Sequence, residues 1–338
     1  MVLASARHPA MLLYLDNMQS VGPRSQAAER AARFDRGRER GLNENYAREL
    51  LELHTLGVNG GYDQADVEQL ARILTGWTLQ GLPLAEAAAA RPQQGSGLGE
   101  RFRRQMMESG LRRAGFSGDA PYGFAFRPEL HEPGGKTVLG KQYGEGEAAG
   151  RSVINDLCRH PSTAVFLATK LVRHFVADDP PPGAVDAVAT VFAETDGDLL
   201  AVSEALVGLP SAWNLESRKF RTPQDWLVAA GRALAVKSLP PRVGGVLREL
   251  RHALWAPPSP KGYDDTMGPW ADPDSLMNRA EFARTVADAV TRSGTDPSTL
   301  ARVAGVSSGA LATLVEDRSI PAAERVALVV GGPDFQWR

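Results

Sequence analysis

The stretch NENYARELLELHTLGVNGGYDQADVEQLARILTGWTL, residues 43–79, leaves the backbone few options. At about 100° per residue, Tyr46, Ala47, Leu50, Leu51, Leu53 and His54 share one face of a single amphipathic helix over 43–57, with Asn45, Glu49 and Glu52 on the other. Asn43 is placed to cap the first turn, and Glu44 suits its positive end. Gly57 stops the helix, VNGGY turns the chain, and Asp63 caps a second helix with an apolar stripe of Val67, Leu70, Ala71 and Leu74. Two such helices joined by a short turn predict a helical hairpin.

The same punctuation recurs along the chain. Proline at the first helical position costs no hydrogen bond, so Pro9 and Pro161 predict helices over 9–19 and 161–176. The surrounding segments ARHPAMLLYL and CRHPSTAVFL are built alike. Further helices are expected over 147–157, 182–195, 198–209 and 223–236, with Asp198 as a cap. Strand patterns are nearly absent. The expected class is therefore mainly α, a multi-helix orthogonal or bundle-like domain with a turn-rich insert that has room for one short strand pair. The domain reading is a main helical domain over 1–255, interrupted by the insert at about 80–145. A proline-rich crossing and C-terminal helices follow over 256–338, packed on the same domain.

Charge and composition exclude some functions. A net charge of −2 over 338 residues argues against a nucleic-acid backbone or an anionic membrane as the main partner, since both require clustered positive charge. The segment RFRRQMMESGLRRAG carries five arginines against one glutamate and reads as a solvated helix face. No stretch reaches the roughly 20 apolar residues of a membrane span. The opening MVLASARHPAMLLYLDN has no basic lead, and His8-Pro9 breaks its apolar run, which makes it a poor export signal. The single cysteine, Cys158, excludes an internal disulfide and reads as a packed thiol.

Several short motifs imitate sites. GVSSG, residues 305–309, has the Gly-x-Ser-x-Gly spacing of a hydrolase elbow around Ser307, but LARVA before it reads as helix where the elbow needs a strand. The stretch LARVAGVSSGALATLVED also imitates a DNA-reading helix-turn-helix, although its second helix offers no Lys or Arg. GGKT at 134–137 lacks the strand-loop-helix frame of a phosphate loop, and ETDGDL lacks the spacing of a calcium loop. For metal binding, Glu52 is followed three residues later by Thr55 and not by histidine, so the paired-helix carboxylate signature fails. Cofactor and metal stay open.

The hairpin segment, with HPAMLLYLDNMQSVGP before it and FRPELHEPGGKTVLG, HPSTAVFLATKLVRHFVADDPPP, KFRTPQDWLVAAGRAL, APPSPKGYDDTMGPW and GGPDFQWR after it, resembles a bacterial family catalogued as domain of unknown function 1800. The resemblance spans nearly the whole chain. It implies a helical fold, frequent export, and a partner protein with a sulfatase-like look encoded by a neighbouring gene. It also implies a further helical portion, rich in Trp and His, ahead of the position of Met1, so that the chain is expected to be truncated relative to its family. The polar motifs that carry the resemblance supply the candidate site: Asn43, Glu44, Asn45, Arg48, Glu49 and His54, with His131 and Lys136, and Arg173 and His174. As acids or bases the expected residues are Glu49, His54, His131 and His174; the others are expected to bind. The leading functional expectation is a binding or scaffold component of a cell-envelope system. An enzyme with an acid–base or metal-assisted site is the alternative, and DNA binding through the tail is the second alternative.

Overall fold

A computed structural model describes residues 1–34, 42–80, 123–214, 218–236, 243–291, 296–306 and 308–338. Helix starts are fixed locally. α1 (Val2–Ala6) leads into α2 (Pro9–Tyr14), which His8 caps by accepting the Ala10 N–H at Nδ1, 3.1 Å away. α3 (Gln26–Phe34) precedes α4 (Glu44–Glu49), where the Asn43 side chain accepts the Asn45 N–H.

The chain does not continue from α4 as one α-helix. Residues Leu50–Thr55 form a π turn, in which Leu56 N–H reaches the Leu51 carbonyl at 2.8 Å. The buried positions show the change of period: Tyr46, Leu50 and Thr55 form one row, and Ala47, Leu51 and Leu56 another, with intervals of four and then five. Leu53 and His54 accordingly stand half-exposed, off the buried face that a uniform α period assigns them. The Thr55 hydroxyl makes the wide turn tolerable, donating to the Leu50 carbonyl at 2.8 Å and approaching that of Leu51 at 3.3 Å.

α5 (Gln64–Leu74) begins at a reciprocal capping box between Asp63 and Asp66. β1 (Trp77–Leu79) pairs antiparallel with β2 (Phe124–Phe126), Trp77 opposite Phe126. β3 (Lys136–Val138) and β4 (Lys141–Tyr143) form a hairpin whose two turn residues, Leu139 and Gly140, both have positive φ, as a type I′ turn requires. Mainly α character thus holds, with two small strand pairs where one was expected. α6 (Glu147–Arg159) packs on Trp77 through Gly150, where a Cβ would stand 2.4 Å from the ring. α7 (Pro161–Phe175) repeats the opening of α2: His160 Nδ1 accepts the Ser162 N–H at 3.2 Å, which explains the echo between the two His-Pro segments.

The fold gathers into two units, Met1–Leu167 with Ala193–Gly197, and Ala168–Phe192 with Asp198–Arg338. The first has its core around Trp77, built with Tyr46, Leu50, Leu51, Leu70, Leu74 and Ile154. The second contains most of α8 (Ala184–Glu194), then α9 (Leu199–Val207), α10 (Pro223–Ala233), α11 (Val243–Glu249), α12 (Pro273–Thr291), α13 (Pro297–Val303), α14 (Gly309–Glu316) and α15 (Ala322–Gly331). Its core is built by α10, α12 and α15 around Trp226, whose indole N–H donates to the Val330 carbonyl at 3.1 Å. The proline-rich crossing is pinned by His252, Tyr263 and Trp270, with ring centroids 4.4–5.9 Å apart. Among the described residues no helix is long and apolar enough to cross a membrane.

The basic segment at 101–115 and Ser307 lie outside the described residues. The elements flanking Ser307, α13 and α14, are both helices. Leu311 and Val315 of α14 pack into the core of the second unit.

Candidate functional site

The structure distributes the expected site residues over three clusters. Around the π turn, Arg48 donates to Gln64 Oε1 at 2.7 Å and lies 3.5 Å from Glu44 Oε2, while Gln64 Nε2 donates to the same Glu44 oxygen at 2.7 Å. Asn43 is a structural tie as well as a cap, donating from Nδ2 to the Leu15 carbonyl at 2.8 Å. Asn45 is exposed. Partial burial raises the Glu49 carboxyl above its ordinary range, and the Glu52 charge three residues on adds to the effect against the opposing Arg48. The hydroxyl of Tyr62 is raised by burial and then by the Glu52 charge. His54 lines a shallow depression with Met1, Ser5, Met11 and Leu50.

The second cluster is closed. His131 and Lys136 are buried, and between them Glu132 is 0 % exposed. His131 Nδ1 lies 2.9 Å from the Thr75 carbonyl, so it must be the donor; Nε2 then accepts from Gly146 N–H at 3.1 Å and from the Lys136 ammonium at 3.2 Å. These partners define the neutral tautomer. Burial accordingly pulls the imidazole below its ordinary value, and the Lys136 charge acts in the same sense. Burial also lowers the Lys136 amine. That amine further donates to the Glu132 carbonyl. The Glu132 carboxylate accepts from Arg24 twice, from N–H at 2.8 Å and from Nε at 2.7 Å, and lies 3.9 Å from Arg72. Thr75 completes the lock by accepting the Glu132 N–H at 2.8 Å. Both ring nitrogens of His131 are committed, so the cluster fastens the segment between β2 and α6, with its β3–β4 hairpin, to the end of α5.

The third cluster is open to solvent on one side. His174, near the end of α7, has its Nδ1 3.0 Å from each carboxylate oxygen of Asp265. Its side chain is 46 % exposed, and among the described residues Nε2 has no protein partner. Lys219, 3 % exposed, supports the pair from behind. Its three ammonium protons have three acceptors: Asp178 Oδ1 at 2.6 Å, Asp265 Oδ1 at 3.4 Å and the Asp265 carbonyl. The other oxygen of Asp178 accepts the Met267 N–H at 2.5 Å, and Arg173 donates from Nε to the Asp178 carbonyl at 3.2 Å.

The structure thus joins His131 with Lys136, and Arg173 with His174, and gives each pair partners outside the expected set. Glu132, Arg24 and Thr75 serve the first, Asp265, Lys219 and Asp178 the second. A signal for the second group was present, because Lys219 and Asp265 stand in KFRTPQDW and YDDTMGPW, two of the segments that carry the family resemblance. Among the described residues no group of three or more His, Cys, Asp or Glu is arranged to hold a metal ion.

A helical protein with short strand pairs, one sealed polar lock and one half-open His-Asp-Lys cluster is the class these observations define. The chain belongs to the family described as "Protein of unknown function (DUF1800)", which it matches over residues 1–337. No curated protein and no solved structure matches it.

Proposed function

We propose that the chain is an enzyme in which His174 works as a general acid–base, with Asp265 orienting the ring and Lys219 holding Asp265 in place. The observation that carries this reading is the division of labour on one half-exposed imidazole: Nδ1 is fixed by a carboxylate, and no hydrogen bond engages Nε2 among the described residues. A base needs that geometry, since the fixed nitrogen sets the tautomer and leaves the other to exchange a proton with a ligand. His131 does not meet the requirement, because both its nitrogens are occupied. The test is turnover of a panel of p-nitrophenyl esters, phosphates and glycosides by the wild type and by His174→Ala. A loss of about 100-fold or more with an unchanged melting temperature is expected. Undiminished turnover in the variant overturns the reading.

A second reading, a binding component that works with a partner protein in a cell-envelope system, is favoured by the surface of α9. Leu200 and Val207 are exposed on it, and Trp213, 74 % exposed, is held at its end by donating to the Val207 carbonyl at 2.7 Å. Neighbouring exposed apolar side chains of this kind characterise contact surfaces. Loss of a pulled-down partner on Leu200→Gln together with Trp213→Ser would support it, and retention would remove it.

A further inference from the structure

Lys219 is presented to Asp178 and Asp265 by a short extended segment, and that segment is held by the last residues of the chain. Lys219 N–H donates to the Arg338 carbonyl at 3.1 Å, Arg338 N–H donates back to Lys219 at 2.9 Å, and Arg221 N–H reaches the Gln336 carbonyl at 2.7 Å. The two segments form a miniature antiparallel ladder, with Phe220 opposite Trp337 and their rings edge to face at 5.2 Å. Both sides of the ladder end at the His174 cluster: Lys219 on one, and on the other Arg338, whose Nη2 donates to the His174 carbonyl at 2.9 Å.

One buried guanidinium bridges the ladder. Arg279 of α12, 0 % exposed, donates from Nη1 to the Gln336 side-chain oxygen at 2.7 Å and from Nη2 to the Arg221 carbonyl at 3.0 Å. Its charge rests between aromatic rings, 4.9 Å from the Phe220 centroid and 5.7 Å from that of Trp226. No carboxylate compensates it among the described residues, and its Nε has no partner. Burial lowers Arg279 only to about 10, so it stays cationic at neutral pH. Apolar packing alone would fill this position better than a charge without a counter-ion. The planar fork, which grips both segments at once, is what an apolar side chain cannot supply.

We infer that Arg279 and Gln336 are positioning residues for the His174 site, setting through the 219–221 and 336–338 ladder the place of Lys219 and hence of the Asp265 carboxylate that fixes the ring. The inference rests on the reading of His174 as the working base. It is tested on the full chain by 15N–1H spectra of the imidazoles, which report which ring nitrogen carries the proton and how it is bonded. Asp265→Asn serves as the reference change. Gln336→Ala, which removes one Arg279 grip together with the bonds from Gln336 Nε2 to the Gly331 and Gly332 carbonyls, and Arg279→Met, which removes both Arg279 grips, are each expected to move the His174 signals in the direction set by Asp265→Asn while the His131 signals stay in place. If Arg279→Met does not fold, Gln336→Ala decides alone. His174 signals at their wild-type positions in Gln336→Ala, with Asp265→Asn moving them, overturn the positioning role and leave the base reading intact. Signals that Asp265→Asn itself fails to move overturn the base reading and this inference with it.

Discussion

At the scale of single residues, the contrast between His131 and His174 shows that an imidazole is assigned by its partners. His131 is held neutral by a carbonyl on one nitrogen and two N–H donors on the other. Its folded value lies below the ordinary one because of burial. Its contribution to stability is therefore complete above about pH 6.5 and is lost as pH falls through the folded value, since the unfolded chain takes up a proton that the folded ring resists. In urea titrations the stability gap between the wild type and His131→Gln is expected to be largest at about pH 7.5 and to narrow toward about pH 5. The groups that face the ring are Lys136, Glu145, Glu132 and the Thr75 carbonyl, and only Lys136 adds to the depression. A gap that widens on acidification would show that the ring is protonated in the fold.

At the scale of elements, two positions set local propensity against packing. Gly150 lies within α6, where alanine would gain up to about 1 kcal/mol of helix propensity. An added Cβ, however, meets the fully buried Trp77 at 2.4 Å, and overpacking of this kind costs about 1–3 kcal/mol, so Gly150→Ala is expected to lower the melting temperature. A rise would mean that the ring has room to move. In the π turn, Thr55→Val keeps the shape and removes the hydroxyl that satisfies the Leu50 carbonyl. A loss of about 1 kcal/mol in chemical denaturation is expected. An unchanged midpoint would show that the wide turn does not depend on that hydrogen bond. The π turn itself explains why the hairpin reading was right about the element and wrong about part of its face: the period argument holds to Leu51 and slips by one residue after it.

At the scale of the whole molecule, apolar surface remains on α9 after both cores have formed. Leu200→Gln combined with Val207→Gln is expected to leave the unfolding free energy within about 0.5 kcal/mol of the wild type while reducing capture of the partner protein. A large drop in stability would show that these side chains are part of the core. Each unit also carries its own polar centre, the sealed His131 lock in one and the His174 cluster in the other. The cores can tolerate ionisable groups there because nearly every buried donor and acceptor in the two centres has a partner.

Helix starts and caps were determined by the sequence itself, because the physics involved is local: Asn43, Asp63 and Asp198 bond N–H groups two or three residues away, and the prolines act through their own φ. The mainly α class follows from the same periodicities. The partners of the candidate residues were decided only in the tertiary structure. Lys219 meets Asp178 and Asp265 across 41 and 46 residues of chain, and Arg24 meets Glu132 across 108. A charged residue in a sequence declares its chemistry. Whether that charge is locked away, as in Glu132, or set against a half-exposed imidazole, as in Asp265, depends on which distant segment the packing brings to it.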